Sequence, residues 1–290
     1  IPTENAIFDW RIFLSAAALL FSSFIGFDSI AQAGGEAKNP TKTLPRAILL
    51  SITSVGLFYF LFASAVYHTV PWSFIAEEAL KKDISAPGLL SYVLPSGLGI
   101  AILLGATIAL INDLPAMLLS VSRLMFAWAK DGIFPSQISK IHSKNHTPYI
   151  ALLAAGAMAS IGVLGSHFAG DFFLGIDIMV TSMMVNFLLM CITLVTITKV
   201  NPSLANAISV LKNRQIQLVI GWLGILTLTA FLCIHIYKDL SAKVDAWYFH
   251  STPIWLIVMS LASILFMYKW KNLKRQHPTN TERFLTLPEE

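Results

Sequence analysis

The chain has 290 residues, of which 56% are hydrophobic and only 12% are charged, and its mean hydropathy is +0.68. Soluble domains carry about twice that charged fraction, so the composition excludes an ordinary water-soluble fold and indicates a chain that folds in a bilayer. The net charge of +4 falls in short clusters between apolar runs, without a basic face or interleaved aromatic residues, which argues against a nucleic-acid partner.

Seven apolar runs are long enough, or nearly so, to cross a bilayer as helices, which takes about 20 residues each. They predict an all-α integral membrane protein with a single transmembrane domain over residues 1–290. The runs lack the two-residue alternation that strands of a membrane barrel show. The predicted spans are residues 12–34, 47–70, 97–122, 148–168, 172–198, 216–236 and 253–268, and residues 271–290 are a predicted cytoplasmic tail.

Lysine and arginine are divided unequally between alternate loops. The loops after the first, third and fifth spans, together with the tail, hold 15 of the 20 basic residues, and the other loops hold 5. Because cytoplasmic loops are enriched in Lys and Arg, this division predicts a multi-pass protein of the cell membrane with its N-terminus outside and its C-terminus inside. In the long outer loop, residues 87–94 are predicted to form a short surface helix.

Three carboxylates fall inside the predicted spans, where a charge is costly and usually functional. Asp28 lies ten residues before Lys38, and Asp113 lies ten residues before Arg123. At about 1.5 Å per residue, both are about 15 Å from the cytoplasmic edge and near the middle of the membrane. Asp177 lies near the outer end of its span and is expected to contact water or to mark the helix entry.

Small and polar residues interrupt the first span at its centre. Gly26 weakens a helix, and Ser23 and Asp28 can bond to backbone groups that an interruption frees. One interpretation is a discontinuous helix beside a cavity, whose two helix ends attract the carboxylate and the amino group of a zwitterion. The other is a close contact between helices through small residues. Both interpretations fit the first span.

Two motifs make the sequence specific. The first reads F-I-G-F-D at residues 24–28, E-A-K-N-P at residues 36–40 and L-P-R-A-I at residues 44–48. It resembles the sixth span and following loop of the amino acid–polyamine–organocation permease superfamily. The second motif is S-R at residues 122–123, A-K-D-G-I-F-P at residues 129–135 and T-P at residues 147–148. It resembles the cytoplasmic end of that family's eighth span.

The resemblance implies a LeuT-type fold, which has two inverted repeats of five spans and often two additional helices. The first span of this chain would be the family's sixth, so its seven spans would be the second repeat plus the two additional helices. The predicted outside N-terminus agrees with that assignment. The first repeat, which supplies half of the substrate site, is then missing. Since the chain begins at Ile1 without a Met, we expect a partial permease.

The same resemblance implies a substrate site at the interruption of the first span. Backbone groups near residues 24–27 would hold the amino group of the solute, and Phe24 or Phe27 would close over it. Met117 would line the pocket from the third span, with Asp113 one turn outward. The substrate-binding residues predicted in this way are Ser23, Phe24, Ile25, Gly26, Phe27, Asp28, Asp113 and Met117.

Asp113 departs from the family pattern, which usually has a small or uncharged residue after Asn112. This carboxylate would favour a cationic solute, bind a coupling proton, or pair with a basic residue of the missing repeat. Asp28 and Asp113 are the predicted coupling residues, since burial would raise the pKa of such a carboxyl group toward the working pH.

Gating and sodium coupling add four further candidates. Arg123 is predicted to hold the inner loop through an ion pair with Glu36, as part of a cytoplasmic gate. Ser120 and Ser122 offer hydroxyl groups on the inner part of the third span and are weaker candidates for sodium ligands.

The expected function is secondary active transport of amino acids or related amines by alternating access, coupled to protons or run as exchange. One alternative is an intramembrane aspartyl protease using Asp28 and Asp177, although the usual Gly-x-Gly-Asp spacing is missing. Another is a membrane sensor or subunit that does not transport. The sequence has no nucleophilic triad, metal-ligand set or phosphate loop, so no enzyme and no cofactor is expected.

Overall fold

The computed structural model describes residues 10–276, with the exception of 33, 35–36, 82–92, 170–172, 209 and 245. All regular secondary structure in this part of the chain is helical. The long helices are α3 (Pro40–Thr69), α5 (Ser96–Lys130), α6 (Tyr149–Ala169), α7 (Phe173–Val200), α9 (Arg214–Ser241) and α10 (Ser251–Gln276). The short helices are α1 (Trp10–Leu20), α2 (Ser29–Gln32), α4 (Trp72–Lys81) and α8 (Pro202–Ala207). Single 3₁₀ turns cover Phe21–Phe24, Ser136–Ser139 and Trp247–Phe249.

Six helices of the described chain are long and apolar enough to cross a membrane, namely the long helices α3, α5, α6, α7, α9 and α10. They correspond to the second through seventh predicted spans. Several are longer than predicted: α3 already begins at Pro40, and α5 continues to Lys130. A helix of 35 residues is about 52 Å long, whereas the hydrocarbon core is about 30 Å thick, so its ends extend past the apolar run from which the span was predicted.

The first predicted span is not one helix. After α1 ends at Leu20, the chain makes a 3₁₀ turn and then an irregular turn over residues 25–28, and the α-helix resumes at Ser29. Gly26 has a φ of +128°, a conformation that side-chain-bearing residues rarely adopt. We call residues 10–32 the broken segment. The predicted seven spans are therefore six long helices and this broken segment, and the predicted surface helix at 87–94 lies mostly outside the described residues.

The helices α7, α9 and α10 pack together, and we call them the packed bundle. Glycines bring α7 and α9 close: a Cβ atom on Gly221 would lie 2.6 Å from Val195 Cγ2, and one on Gly224 would lie 2.6 Å from Cys191 Sγ. Small residues let helices in a membrane approach closely enough for extensive van der Waals contact. The broken segment joins this bundle, since Phe21 and Ile25 pack on the fully buried Val180 and Met184 of α7.

Two charged side chains connect helix ends within the packed bundle. Arg214, at the start of α9, donates 2.7 Å from Nη2 to the Val195 carbonyl oxygen of α7. Asp239, near the end of α9, accepts from the amide groups of Ser251 and Thr252 at 2.9 and 2.8 Å. The amides at a helix N-terminus have no partner inside their helix, so this carboxylate caps α10.

The helices α3 and α5 are packed less completely. α3 packs against the 3₁₀ turn and α2 of the broken segment, and α5 packs against α2 and α6. Met125 of α5 forms a small buried cluster with Ala151 and Ala155 of α6. Much of the remaining surface of α3 and α5 is exposed and apolar, for example Phe60 and Ile108. The broken segment therefore lies between a packed bundle on one side and two sparsely packed helices on the other.

Candidate functional site

A cavity of about 300 Å³ lies between the broken segment, α3 and α5. Its wall consists of Ser23, Phe24, Ile25, Gly26, Phe27 and Ser29 from the broken segment, Ser51, Ile52, Val55 and Tyr59 from α3, and Asp113, Ala116 and Met117 from α5. On each long helix the lining residues recur at spacings of three and four, so each helix turns one face to the cavity.

The predicted substrate-binding residues meet at this cavity, with the exception of Asp28. Asp113 and Met117 are one helical turn apart and line the cavity beside the interruption of the first span. Asp28 lies between the lining residues Phe27 and Ser29 but is not itself part of the wall. Whether these residues bind a solute stays a prediction.

Asp28 has a local partner. Its Oδ1 atom accepts a hydrogen bond of 3.2 Å from the amide of Gly26, two residues earlier. The chain then returns to helix through bonds from the amides of Ser29 and Ile30 to the carbonyl oxygens of Gly26 and Phe27, at 3.1 and 3.2 Å. A carboxylate that accepts an amide hydrogen stabilises such a turn. The contact observed for Asp28 therefore shapes the break.

Tyr59 is a lining residue that the sequence did not predict. Its hydroxyl donates a hydrogen bond of 2.9 Å to the carbonyl oxygen of Ser23, and its ring meets Phe24 edge-on with centroids 5.5 Å apart. The bond satisfies a backbone carbonyl at the end of the 3₁₀ turn. The available signal was a hydroxyl group within an apolar span, which needs an internal partner in a bilayer.

Phe187 of α7 holds the other side of the break. Its ring stacks on Phe27 with centroids 5.3 Å apart and contacts Phe21 edge-on at 5.9 Å. Such aromatic pairs contribute about 0.5–1.5 kcal/mol beyond the area that they bury. The interruption is thus held by Tyr59 of α3 on one side and by the packed bundle on the other.

The predicted gating and sodium residues lie on the inner part of α5. The buried Ser120 hydroxyl donates to Gln32 Oε1, which ties α2 to α5. Ser122, fully buried, donates 2.9 Å to the Leu119 carbonyl oxygen of its own helix. Glu36 lies outside the described residues, so its ion pair with Arg123 stays a prediction. Within the described ranges, no three His, Cys, Asp or Glu residues are grouped so that they could hold a metal ion.

These features define a class of protein. Membrane transporters place their solute sites where a discontinuous helix leaves irregular backbone beside a cavity. The chain belongs to the amino acid permease family, whose model matches residues 5–279. The resemblance to the amino acid–polyamine–organocation superfamily is thereby confirmed. The proteins of this family are transporters and not enzymes, which removes the protease alternative.

Three relatives illustrate the range of the family. The chain is 36% identical over 157 residues to the branched-chain amino acid permease BcaP of Bacillus subtilis. It is 29% identical over 157 residues to cationic amino acid transporter 4 of Mus musculus, and 29% identical over 151 residues to the low-affinity putrescine importer PlaP of Escherichia coli. These alignments cover 52%, 54% and 52% of the chain, but only 31%, 24% and 33% of the relatives. No solved structure matches the chain significantly.

Proposed function

We propose that this chain forms part of a secondary transporter of amino acids or related amines, and that the cavity is its solute site. The observation that carries the proposal is the meeting of the broken segment, α3 and α5 around one cavity with polar and apolar walls. Its volume of about 300 Å³ suits a small solute. The family membership supports the same class of cargo.

The broken segment would bind the amino group. α1 and its 3₁₀ turn end at Phe24, and the carbonyl groups at a helix C-terminus carry a partial negative charge that attracts an ammonium group. The hydroxyl groups of Ser23, Ser29 and Ser51 lie in the same wall and can hydrogen bond to a polar solute. The solute's carboxylate would be held by a region outside this chain, such as a first repeat.

The membrane arrangement follows from the same proposal. The broken segment would cross the bilayer in addition to the six long helices, which makes seven spans. The N-terminus of the chain would lie outside and its C-terminus in the cytoplasm. The seven spans would form the second inverted repeat of a LeuT-type fold plus two helices. Transport would proceed by alternating access, as exchange or coupled to protons through Asp113 or Asp28, with Arg123 and Glu36 at a cytoplasmic gate.

The test is solute counterflow in proteoliposomes that contain the complete gene product. We expect uptake of at least one radiolabelled amino acid or amine into vesicles preloaded with the same solute. Gly26→Val should abolish this uptake, because valine rarely adopts the φ of +128° that the break requires. An added Cβ at Gly26 meets no atom within 4 Å, so the substitution acts through the backbone and not through a steric clash. Gly165→Val is the matched control, since Gly165 also has open surroundings but lies within α6.

The outcomes separate the candidate functions. Full uptake by Gly26→Val would contradict the proposed site. Solute binding without any flux by the wild-type protein would favour the membrane sensor or subunit over the transporter. Dependence of net uptake on an imposed pH gradient, with counterflow unchanged, would identify proton coupling.

A further inference from the structure

Asp113 is the one carboxylate in the described wall of the cavity, and its position is unusual. It lies at the midpoint of α5 (Ser96–Lys130), in a stretch that is otherwise uncharged. The residue is exposed, and it makes no hydrogen bond or ion pair with the described residues. An ionised group at this depth is costly unless it faces water, a partner or a ligand. A cationic ligand in the cavity would give this carboxylate a partner.

The described wall holds no basic side chain to neutralise Asp113. None of its residues is Lys, Arg or His. A solute with a positive charge would therefore supply the opposite charge, and the attraction is strong because a site at membrane depth is poorly screened. A neutral side chain in the same place would leave the carboxylate desolvated and unpaired, which disfavours binding.

The other polar groups of the wall also favour hydrogen-bond donors as ligands. The Tyr59 hydroxyl proton is already donated to the carbonyl oxygen of Ser23, so the phenolic oxygen has only lone pairs left to offer. The carbonyl end of the 3₁₀ turn at Phe24 offers acceptors as well. Ammonium and guanidinium groups carry several donors and no acceptor, and they fit this excess of acceptors.

Aromatic rings add to the same preference. Phe24 and Tyr59 meet at an interplanar angle of 81°, and both line the cavity together with Asp113. A cation near the face of an aromatic ring is attracted by the ring quadrupole. The cavity thus combines a carboxylate, backbone acceptors and aromatic rings, three groups that recognise a cation by different means.

We propose that Asp113 selects solutes that carry a second positive charge in addition to the amino group held at the break. This inference rests on the proposed function and names its substrate class: amino acids with a cationic side chain, or diamines. One amino group would lie against the carbonyl end of the 3₁₀ turn, and the other cationic group would pair with Asp113. The names of the relatives include branched-chain amino acids, cationic amino acids and putrescine, and the proposal assigns this chain to the cationic part of that range.

The experiment compares counterflow of lysine, putrescine and leucine in proteoliposomes of the complete gene product, without a pH gradient. We expect the wild-type protein to exchange lysine or putrescine faster than leucine. Asp113→Asn should lower exchange of the cationic solutes by at least about tenfold relative to leucine exchange, because only the cationic solutes lose a charge pair. Asp113→Glu, which keeps the charge, should keep the wild-type order. Asp131→Asn makes the same chemical change at the end of α5, outside the cavity, and should change nothing.

Each outcome bears on the inference in a different way. A wild-type protein that exchanges leucine and neither cation overturns the selection by Asp113 but leaves the transporter. Equal loss of all three solutes in Asp113→Asn overturns it in favour of a coupling or structural role. No exchange of any amino acid or amine by the wild-type protein overturns the proposed function itself. If the Asn variant does not fold, the inference is tested by competition on the wild-type protein. Excess unlabelled lysine should then inhibit counterflow of a radiolabelled solute more strongly than excess unlabelled leucine does, and the reverse order overturns the inference. Exchange of lysine but not putrescine shows that the α-carboxylate is also required.

Discussion

The packed bundle and the cavity helices α3 and α5 contrast in how they use similar apolar sequences. Their most apolar stretches are comparably hydrophobic. Yet α7 buries Val180, Thr181 and Met184 almost completely, whereas the most apolar stretches of α3 and α5 hold no buried residue in the part of the chain that the structure describes. The buried residues of α5 lie toward its C-terminal end, from Ser120 onward. Hydrophobicity therefore identifies the helices that enter a bilayer, and it does not show which of them pack against each other.

Small residues and polar bonds account for the difference. Gly221 and Gly224 remove the side chains that would separate α7 from α9, and Arg214 and Asp239 connect the helix ends. In α3 and α5 the polar residues Ser51, Tyr59 and Asp113 instead face the cavity. Polar side chains thus connect helices in one region and line a cavity in the other.

The largest effect is expected from filling the contact between α7 and α9. A Leu side chain at Gly221 would begin with a Cβ atom 2.6 Å from Val195 Cγ2, so the helices must separate. We expect Gly221→Leu to lower the free energy of unfolding by about 3 kcal/mol, which is the upper part of the range for overpacking. The loss of stability is measured by thermal unfolding in detergent, with size-exclusion chromatography used to monitor the folded fraction.

The control for that change is Gly162→Leu in α6, where an added Cβ meets nothing within 4 Å. It should unfold at nearly the wild-type temperature. If both variants lose the same stability, the contrast between a packed and an open region is wrong.

A smaller loss should follow from removing the cap of α10. Asp239→Ala deletes both bonds to the amides of Ser251 and Thr252 and should cost about 2 kcal/mol of stability. Asp239→Asn keeps one acceptor oxygen and should cost about half as much. The same detergent unfolding assay applies. Equal stability of the Ala variant and the wild-type protein would show that these bonds do not hold the bundle.

The smallest effect on stability is expected on the cavity side. Tyr59→Phe removes the bond to the Ser23 carbonyl oxygen but keeps the ring against Phe24, so it should cost about 1 kcal/mol. Because that bond positions the break, solute exchange should fall several-fold despite the small loss of stability. Tyr67→Phe on the same helix is the control, since Tyr67 is exposed and contacts Trp72 through its ring. Similar exchange in the two variants would separate Tyr59 from the site.

Sequence reasoning located the features that depend on local pattern. The apolar runs predicted the six long helices. The small and polar residues around Gly26 located the interruption of the first span, although they fitted a close helix contact as well as a break. The resemblance to the permease superfamily implied that Asp113 and Met117 lie beside the break, and both line the cavity from α5.

The contacts that span long stretches of chain were not predictable in this way. Tyr59 reaches Ser23 across 36 residues, and Ser120 reaches Gln32 across 88. Phe187 stacks on Phe27 from a different helix. Such pairs depend on how helices pack, which periodicity in one chain does not encode. The bond between Asp28 and Gly26 is local and in that respect differs from these contacts. It was not predicted because a carboxylate inside a membrane span is usually functional, so Asp28 was predicted to have a role in binding and coupling.

The close contact of Cys191 with the position of Gly224 gives the chain a built-in chemical reporter. Cys191 is half-buried between α7 and α9, whereas Cys233 on α9 is exposed. A membrane-permeant thiol reagent should label Cys233 readily and Cys191 slowly. Faster labelling of Cys191 relative to Cys233 when a solute is added would show that α7 and α9 separate, and an unchanged ratio would show that they stay together. No engineered probe is needed for this measurement.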